Sequence, residues 1–345
     1  AANSVIVVCG DKSKVVSNSD MWETSTNYQT YQTQTTGFDG EGQITSAITY
    51  VTSENNPKVY WVTGHGEASE SDLSTNFSDA INKNNVEISD LALMTDDIPE
   101  DAEELVIMSP TTDFSEDEAN KVITYLENGG KLLMFTSYTG TDMPNLDSIL
   151  ENYGVKRSSG IVVETDSQHY YPQMPYYLLP NIQSDDITTE VKSNYILMPV
   201  AQAIQKLDSY RDTITIKSLL TTTEDAYIEN DPENSTWSKS ADSETGAFDL
   251  GVSITETVDD KETQIIYFSS ASMLSSQIDQ AISGANSKLA ATALTSMCDV
   301  EQTVVIPSKS TSYTNLVFTQ GAVNTWSIIT IAGIPLVLVV IGVII

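Results

Sequence analysis

From Lys58 to Ser137 the chain alternates between short unbroken apolar runs and longer stretches whose apolar residues recur every three or four positions. The runs are "KVYWVT", "VEISDLAL", "ELVIMSP" and "KLLMFTS". Between them, "LSTNFSDAINKNN" puts Leu73, Phe77, Ala80 and Ile81 on one helical face. "SEDEANKVITYLENGG" opens on a Ser115 cap with acids in its first turn and closes on glycines. Continuous apolar strands separated by amphipathic helices predict a parallel sheet covered on both faces, an α/β core over about residues 38–153. Upstream, "GQITSAITYV" spaces Ile44, Ala47, Ile48 and Val51 as a helix that Pro57 closes off.

The flanks are less regular. "NSVIVVCGDKSKVV" reads as strand, Gly-Asp turn, strand. An isolated hairpin is marginal, so this one is expected to pair with something more, including sequence before Ala1. The rest of residues 1–36 reads as a polar connector. After Gly154, strands are predicted near Ile161–Val163 and Thr213–Leu220, around the aromatic "HYYPQMPYYLLPNI". "ENDPENSTWSKSADSETG" is a surface loop, and "AFDLGVSITETV" and "TQIIYFSS" are strands that rejoin the sheet. "NSKLAATALTSMCDV" is a last helix, followed by an extended tail. From Ile328 to Ile345 the chain is apolar without a charge, with Trp326 just before it. A run of about 18–20 apolar residues spans a bilayer as a helix, and tryptophan favours the interface. A basic cytoplasmic flank is expected beyond Ile345. The predicted organisation is a hairpin and connector (1–36), an α/β unit (37–300), a tail (301–325) and a membrane helix (326–345).

Charge changes the picture. Sixteen Lys+Arg face 48 Asp+Glu, a net charge of −32. Such a surface repels nucleic acid and anionic lipid, so no nucleic-acid partner is expected. It suits a domain outside the cytoplasm, although a salt-adapted cytoplasm would produce a similar bias. Cys9 and Cys298 lie far apart, with no zinc spacing, and are read as two buried small hydrophobes; a disulfide between them is possible. The acids from Asp96 to Glu104 lack the order of a calcium loop, and no Walker A motif exists, so any ATP chemistry belongs to a partner. No metal and no cofactor are expected.

Three stretches could carry chemistry. In "TGHGE", Gly64, His65, Gly66 and Glu67 follow a buried strand and fall at the carboxyl edge of the sheet, where ligands bind in such folds. Glu67 could orient the imidazole. No G-x-S-x-G supplies a nucleophile, so a structural or ligand-contacting turn stands beside a catalytic histidine, which would need Ser109 or Ser137 within reach. A structural turn predicts positive φ at Gly64 or Gly66, and a larger loss on substituting those glycines than on His65→Ala. Ser109 and Thr111 end the next strand and belong near that turn. The third stretch carries His169, Tyr170, Tyr171, Tyr176 and Tyr177, either a sugar or peptide platform or a loop packed over the sheet edge.

In this order, "GFDGEGQITSAITYVT", "KVYWVTGHGE", "GGKLLMFTS", "YYPQMPYYLLPNI", "SLLTTTEDAYIE", "IIYFSSASMLSS" and the terminal apolar run resemble the gliding-motility-type (GldG-like) auxiliary component of ABC transporters. The resemblance implies a membrane-anchored partner of an ABC-2-type permease and an ABC ATPase. It also implies an extracytoplasmic domain with a class I glutamine amidotransferase or flavodoxin-like fold lacking the catalytic cysteine, and an upstream thioredoxin-like unit completing the Ser4–Val16 hairpin. Such a subunit would be non-enzymatic. An extracellular hydrolase or amidase using His65 and Glu67 is the alternative, and a sugar- or peptide-binding surface protein is a third.

Overall fold

The computed structural model describes residues 3–27, 32–53, 56–233, 236–298, 309–310 and 318–344. Strands β1 (Ser4–Cys9) and β2 (Lys12–Ser17) form the expected hairpin, turning at Gly10, whose φ is 57°. The connector is not featureless. It forms a second antiparallel pair, β3 (Trp22–Asn27) and β4 (Gln32–Phe38), whose Thr- and Gln-rich composition suits a solvated ladder better than its lack of apolar alternation suggested. Helix α1 (Gly40–Thr52) follows. It buries Ser46, Ala47 and Val51 but leaves Ile48 exposed, because the first hairpin covers only part of its face. Lys12 Nζ donates to the Ser53 carbonyl at 2.6 Å, and Lys14 Nζ bonds Asn85, so the hairpin is tied to this unit.

The predicted alternation then appears in order: β5 (Lys58–Val62), α2 (Thr75–Lys83), β6 (Glu87–Leu91), β7 (Glu104–Met108), α3 (Glu116–Glu127) and β8 (Lys131–Phe135). Helix α4 (Pro144–Asn152), which the apolar spacing had not revealed, comes next; Asp113 caps it from another loop, accepting from the Asn145 and Leu146 amides at 3.1 and 2.9 Å. The irregular region is mostly β. It comprises β9 (Val155–Val163), β10 (Tyr170–Tyr171), β11 (Met174–Leu178), β12 (Asn181–Ile182), β13 (Met198–Pro199), β14 (Gln202–Lys206), β15 (Ile214–Thr221) and β16 (Tyr227–Glu229). Strands β17 (Asp249–Val258) and β18 (Lys261–Phe268) rejoin the sheet as expected, and α5 (Ser276–Ala281) and α6 (Ala285–Met297) follow.

The result is a mixed α/β fold around an 11-stranded sheet. Strands β6, β5, β7, β8 and β18 lie side by side and parallel, so chain order reads 2-1-3-4-5 across them. Helices α2 and α6 cover the face carrying Val59, Trp61, Val106 and Phe135. Helices α3 and α4 cover the face carrying Val62, Leu105, Ile107 and Met134. The winding therefore reverses between β5 and β7, which opens a crevice at their carboxyl ends.

The amino edge holds a different feature. Glu104, first residue of β7, is fully buried; its Oε1 has no hydrogen-bond partner, and Oε2 accepts from Cys298 Sγ at 3.3 Å. Burial pushes the carboxyl well above its ordinary value, and the Cys298 thiol up as well, with burial again the main cause. Cys298 is thus the expected buried hydrophobe, whereas Cys9, also expected buried, is exposed on an edge strand, and neither forms a disulfide. A raised folded pKa gives stability that is full below the unfolded value and lost as pH rises through the folded one. Glu104→Gln, neutral at every pH, is expected to gain stability relative to the parent as pH rises above 4.5. Thermal midpoints that stay parallel for the two proteins from pH 5 to 8 would contradict this.

At the C-terminus, α7 (Gln320–Ile328) runs through a π turn (Ile329–Gly333) into α8 (Ile334–Ile344). The helix begins at Gln320, so residues 320–325 of the expected tail are its first turns. Most of that tail, 301–308 and 311–317, lies outside the described residues; Lys309–Ser310 pairs with β4. Pro335 removes an amide and its ring crowds the preceding turn, a physical cause for the π segment just before it. Among the described residues one helix, Gln320–Gly342, is long and apolar enough to cross a membrane, and none of its apolar window is buried in the protein. A single apolar helix at the C-terminus is compatible with a membrane anchor.

Candidate functional site

The turn after β5 is fixed from several sides. Thr63 N bonds the Leu91 carbonyl, Ala68 N bonds the Met108 carbonyl, and Trp61 Nε1 donates to the Ala68 carbonyl, each at 2.9 Å. Gly64 and Gly66 sit at φ 122° and 77°. A Cβ on Gly66 would overlap Thr111 Oγ1, whereas one on Gly64 would meet open space. The His65 carbonyl accepts four bonds, from the amides and hydroxyls of Thr111 and Thr112, at 2.9 to 3.2 Å. The structure therefore joins the His65 turn to the turn after β7.

The imidazole points inward. His65 is 4% exposed, with Nδ1 3.1 Å from Glu67 Oε1 and Nε2 3.2 Å from Glu118. Glu67 also accepts from the His65 amide at 2.7 Å, and Phe114 packs on the ring with centroids 4.2 Å apart. Burial alone would raise the Glu118 carboxyl, but the Ser115 amide and hydroxyl, joined by His65, outweigh it and hold it below its ordinary value. Both ring nitrogens are thus committed to carboxylates, and the ring has no free edge toward the crevice.

Glu118 was missed as a partner because "SEDE" explains it fully as a capping box: Ser115 accepts from its amide and its carboxylate returns to the Ser115 amide. A signal was present. Glu118 sits one turn before Val122, on the side of α3 that faces the sheet, where an acid needs a partner.

Ser109 ends β7 at φ 53°, a left-handed conformation in a non-glycine residue, at the edge of the reversal point. Its hydroxyl donates to Ser137 Oγ at 2.8 Å, and its amide bonds the Phe135 carbonyl at 2.8 Å. Strand-end strain of this kind exposes a side chain, as a nucleophile elbow does. Here the hydroxyl meets another hydroxyl rather than a base. Ser109, Thr111 and Ser137 place three hydroxyls just past the carboxyl ends of β7 and β8.

The tyrosines lie elsewhere, and Tyr176 meets Tyr177 edge-on with ring centroids 5.4 Å apart. Strands β10, β11 and β13 make a small antiparallel sheet. Tyr171 and Tyr177 pack against the main core, while Tyr176 stacks on Trp237 with centroids 4.4 Å apart. His169 is held by its own loop, with Nδ1 3.1 Å from the Leu179 carbonyl. Among the described residues no group of His, Cys, Asp and Glu is arranged to hold a metal.

A family model described as "ABC-type uncharacterized transport system" matches residues 56–296, which include every strand around the crevice. No curated protein matches the sequence. Among solved structures the chain is similar to the mmIFT52 N-terminal domain, with a TM-score of 0.50 and 15% identity over 70% of this chain and 96% of that one. A ThuA-like protein from Parabacteroides merdae gives a TM-score of 0.40 and 12% identity over 77% and 99%. At these identities the first likeness concerns the fold alone, and the second carries no argument.

Proposed function

This chain belongs to the family of ABC-type uncharacterized transport systems, and from that premise we propose that it is a non-catalytic auxiliary subunit, anchored by its C-terminal helix and docked on an ABC-2-type permease whose ATPase is a separate chain. The observation that carries the reading is the family match joined to the exposed apolar helix at the C-terminus. The strand order 2-1-3-4-5 supports a flavodoxin-like core, related to class I glutamine amidotransferases, and the GldG-like assignment. The acidic surface supports placing the domain outside the cell, and the hairpin's exposed Ile6, Val8 and Val15 support an upstream thioredoxin-like partner unit.

The site supports the non-catalytic reading through its geometry. Acyl transfer needs a nucleophile bonded to a base. Ser109 is bonded to Ser137, and His65 to Glu67 and Glu118. The three hydroxyls of Ser109, Thr111 and Ser137 mark the surface we assign to contact with substrate or permease.

Tagged full-length chain, purified from its native membranes in mild detergent, is expected to bring down an ABC ATPase and a permease in comparable amounts. Protease added to intact cells is expected to release the acidic domain. Recovery of neither transporter chain, or protection of the domain, would sink the corresponding half of the reading.

A further inference from the structure

The loop carrying the tyrosines is bonded to the head of the C-terminal helix. Gly321 N donates to the Ser167 carbonyl at 2.6 Å, Gln173 N to Gln320 Oε1 at 2.8 Å, and Thr319 Oγ1 to Gln168 Oε1 at 3.0 Å. Thr319 is 4% exposed, and a Cβ on Gly321 would overlap the Gln168 amide. The domain is therefore clamped onto this helix where it begins.

The clamp fixes a height. The helix Gln320–Gly342 has 23 residues, and its apolar run starts at Ile328. At 1.5 Å per residue the helix is about 35 Å long, against a hydrocarbon thickness of about 30 Å. Trp326 lies six residues, about 9 Å, below Gln320, so with the apolar run in the hydrocarbon Gln320 and the Gln173 tip bonded to it fall at the outer edge of the headgroup layer. Trp326, farther along and well exposed, occupies the level where tryptophan concentrates. The surface at that height has the matching chemistry. Met174, beside the tip, is exposed, and Tyr176, on the same face of β11, stacks on Trp237. Residues 167–177 include no lysine, arginine, aspartate or glutamate, and Asp166 lies just before them. On a chain of net charge −32, such a neutral aromatic surface suits zwitterionic rather than anionic headgroups.

We propose that the hairpin 167–177 is a membrane-contacting foot that rests on a zwitterionic headgroup layer and seats the carboxyl edge of the sheet toward the bilayer. The edge follows from connectivity: Tyr177 pairs with Pro199, whose carbonyl accepts from Ser270 just past the carboxyl end of β18. The inference rests on the anchor reading of the C-terminal helix.

The test uses the full chain with Cys9→Ser, carrying a fluorophore on Met174→Cys or, at the opposite edge, on Glu262→Cys, in phosphatidylcholine vesicles with nitroxide-labelled headgroups. Quenching at 174 is expected to exceed that at 262 several-fold, and to weaken when anionic lipid replaces the zwitterionic lipid. Gly321→Val is expected to bring quenching at 174 down to the level at 262 while the chain still floats with the vesicles. Equal quenching at both sites in a floating chain overturns the foot alone. Quenching at 174 that survives Gly321→Val overturns the clamp, and stronger quenching in anionic lipid overturns the lipid class. A chain that does not float overturns the anchor and the foot together.

Discussion

Asp279→Ala is expected to lower the unfolding free energy by about 3–5 kcal/mol, since it strips the acceptor from a buried network and strands its donors. Asp279, in α5, is fully buried and accepts from Ser74 Oγ at 2.7 Å, Asn76 Nδ2 at 2.8 Å, Ser287 N at 2.9 Å and Ser287 Oγ at 2.7 Å. Ser74 is the cap of α2, and Ser287 lies in the first turn of α6. The one carboxylate therefore locks together the two helices that cover a whole face of the sheet. Alanine would leave Ser74 and Ser287, 2% and 1% exposed, without their partner. Asp279→Asn keeps the volume but turns one acceptor into a donor, so roughly half the loss is expected. The urea midpoint of the full chain in detergent measures both; a loss below about 1 kcal/mol for alanine would show that the helices hold without the network.

That network was not legible in the sequence, and the reason is general to the molecule. Periodicity reveals faces, and it placed β5 through β8, α2 and α3 correctly because each buries an apolar stripe or run. It did not reveal α4, whose start is fixed by Asp113 from a distant loop, nor the ladder of β3 and β4, which is polar apart from Trp22, Gly37 and Phe38 at one end. Polar partners across long sequence separations leave no period. The juxtaposition of His65 with Thr111 was readable, because parallel strands deliver their carboxyl ends to one edge. The bonding of Thr319–Gly321 to Ser167–Gln173 was not, since it joins residues about 150 apart through backbone groups and the polar side chains of Gln168, Thr319 and Gln320, residue types common on any surface.

The histidine turn is where this limit alters a prediction. From the sequence alone, substituting either glycine outranks His65→Ala, because φ strain is the only visible cost. The structure adds a larger one. With the ring gone, Glu67 and Glu118, whose side chains are 1% and 6% exposed, would face each other across an apolar gap beside Phe114. Removing the shared partner of buried carboxylates costs about 3–5 kcal/mol. Gly66→Val adds left-handed strain of about 1–3 kcal/mol and displaces Thr111, and Gly64→Val adds strain only. The expected order at pH 7 is therefore His65→Ala, then Gly66→Val, then Gly64→Val. Acid separates the causes. In the parent, Glu118 is held below its ordinary 4.5, so its contribution is present above that pH and fades as pH falls through the folded value. In His65→Ala the same carboxylate protonates more readily, so the penalty should shrink between pH 7 and pH 4, while the glycine penalties stay constant. Adding Glu118→Gln to His65→Ala should restore part of the loss at pH 7. A His65→Ala chain as stable as the parent that has lost a hydrolytic activity would reverse this account and make the imidazole a catalytic group.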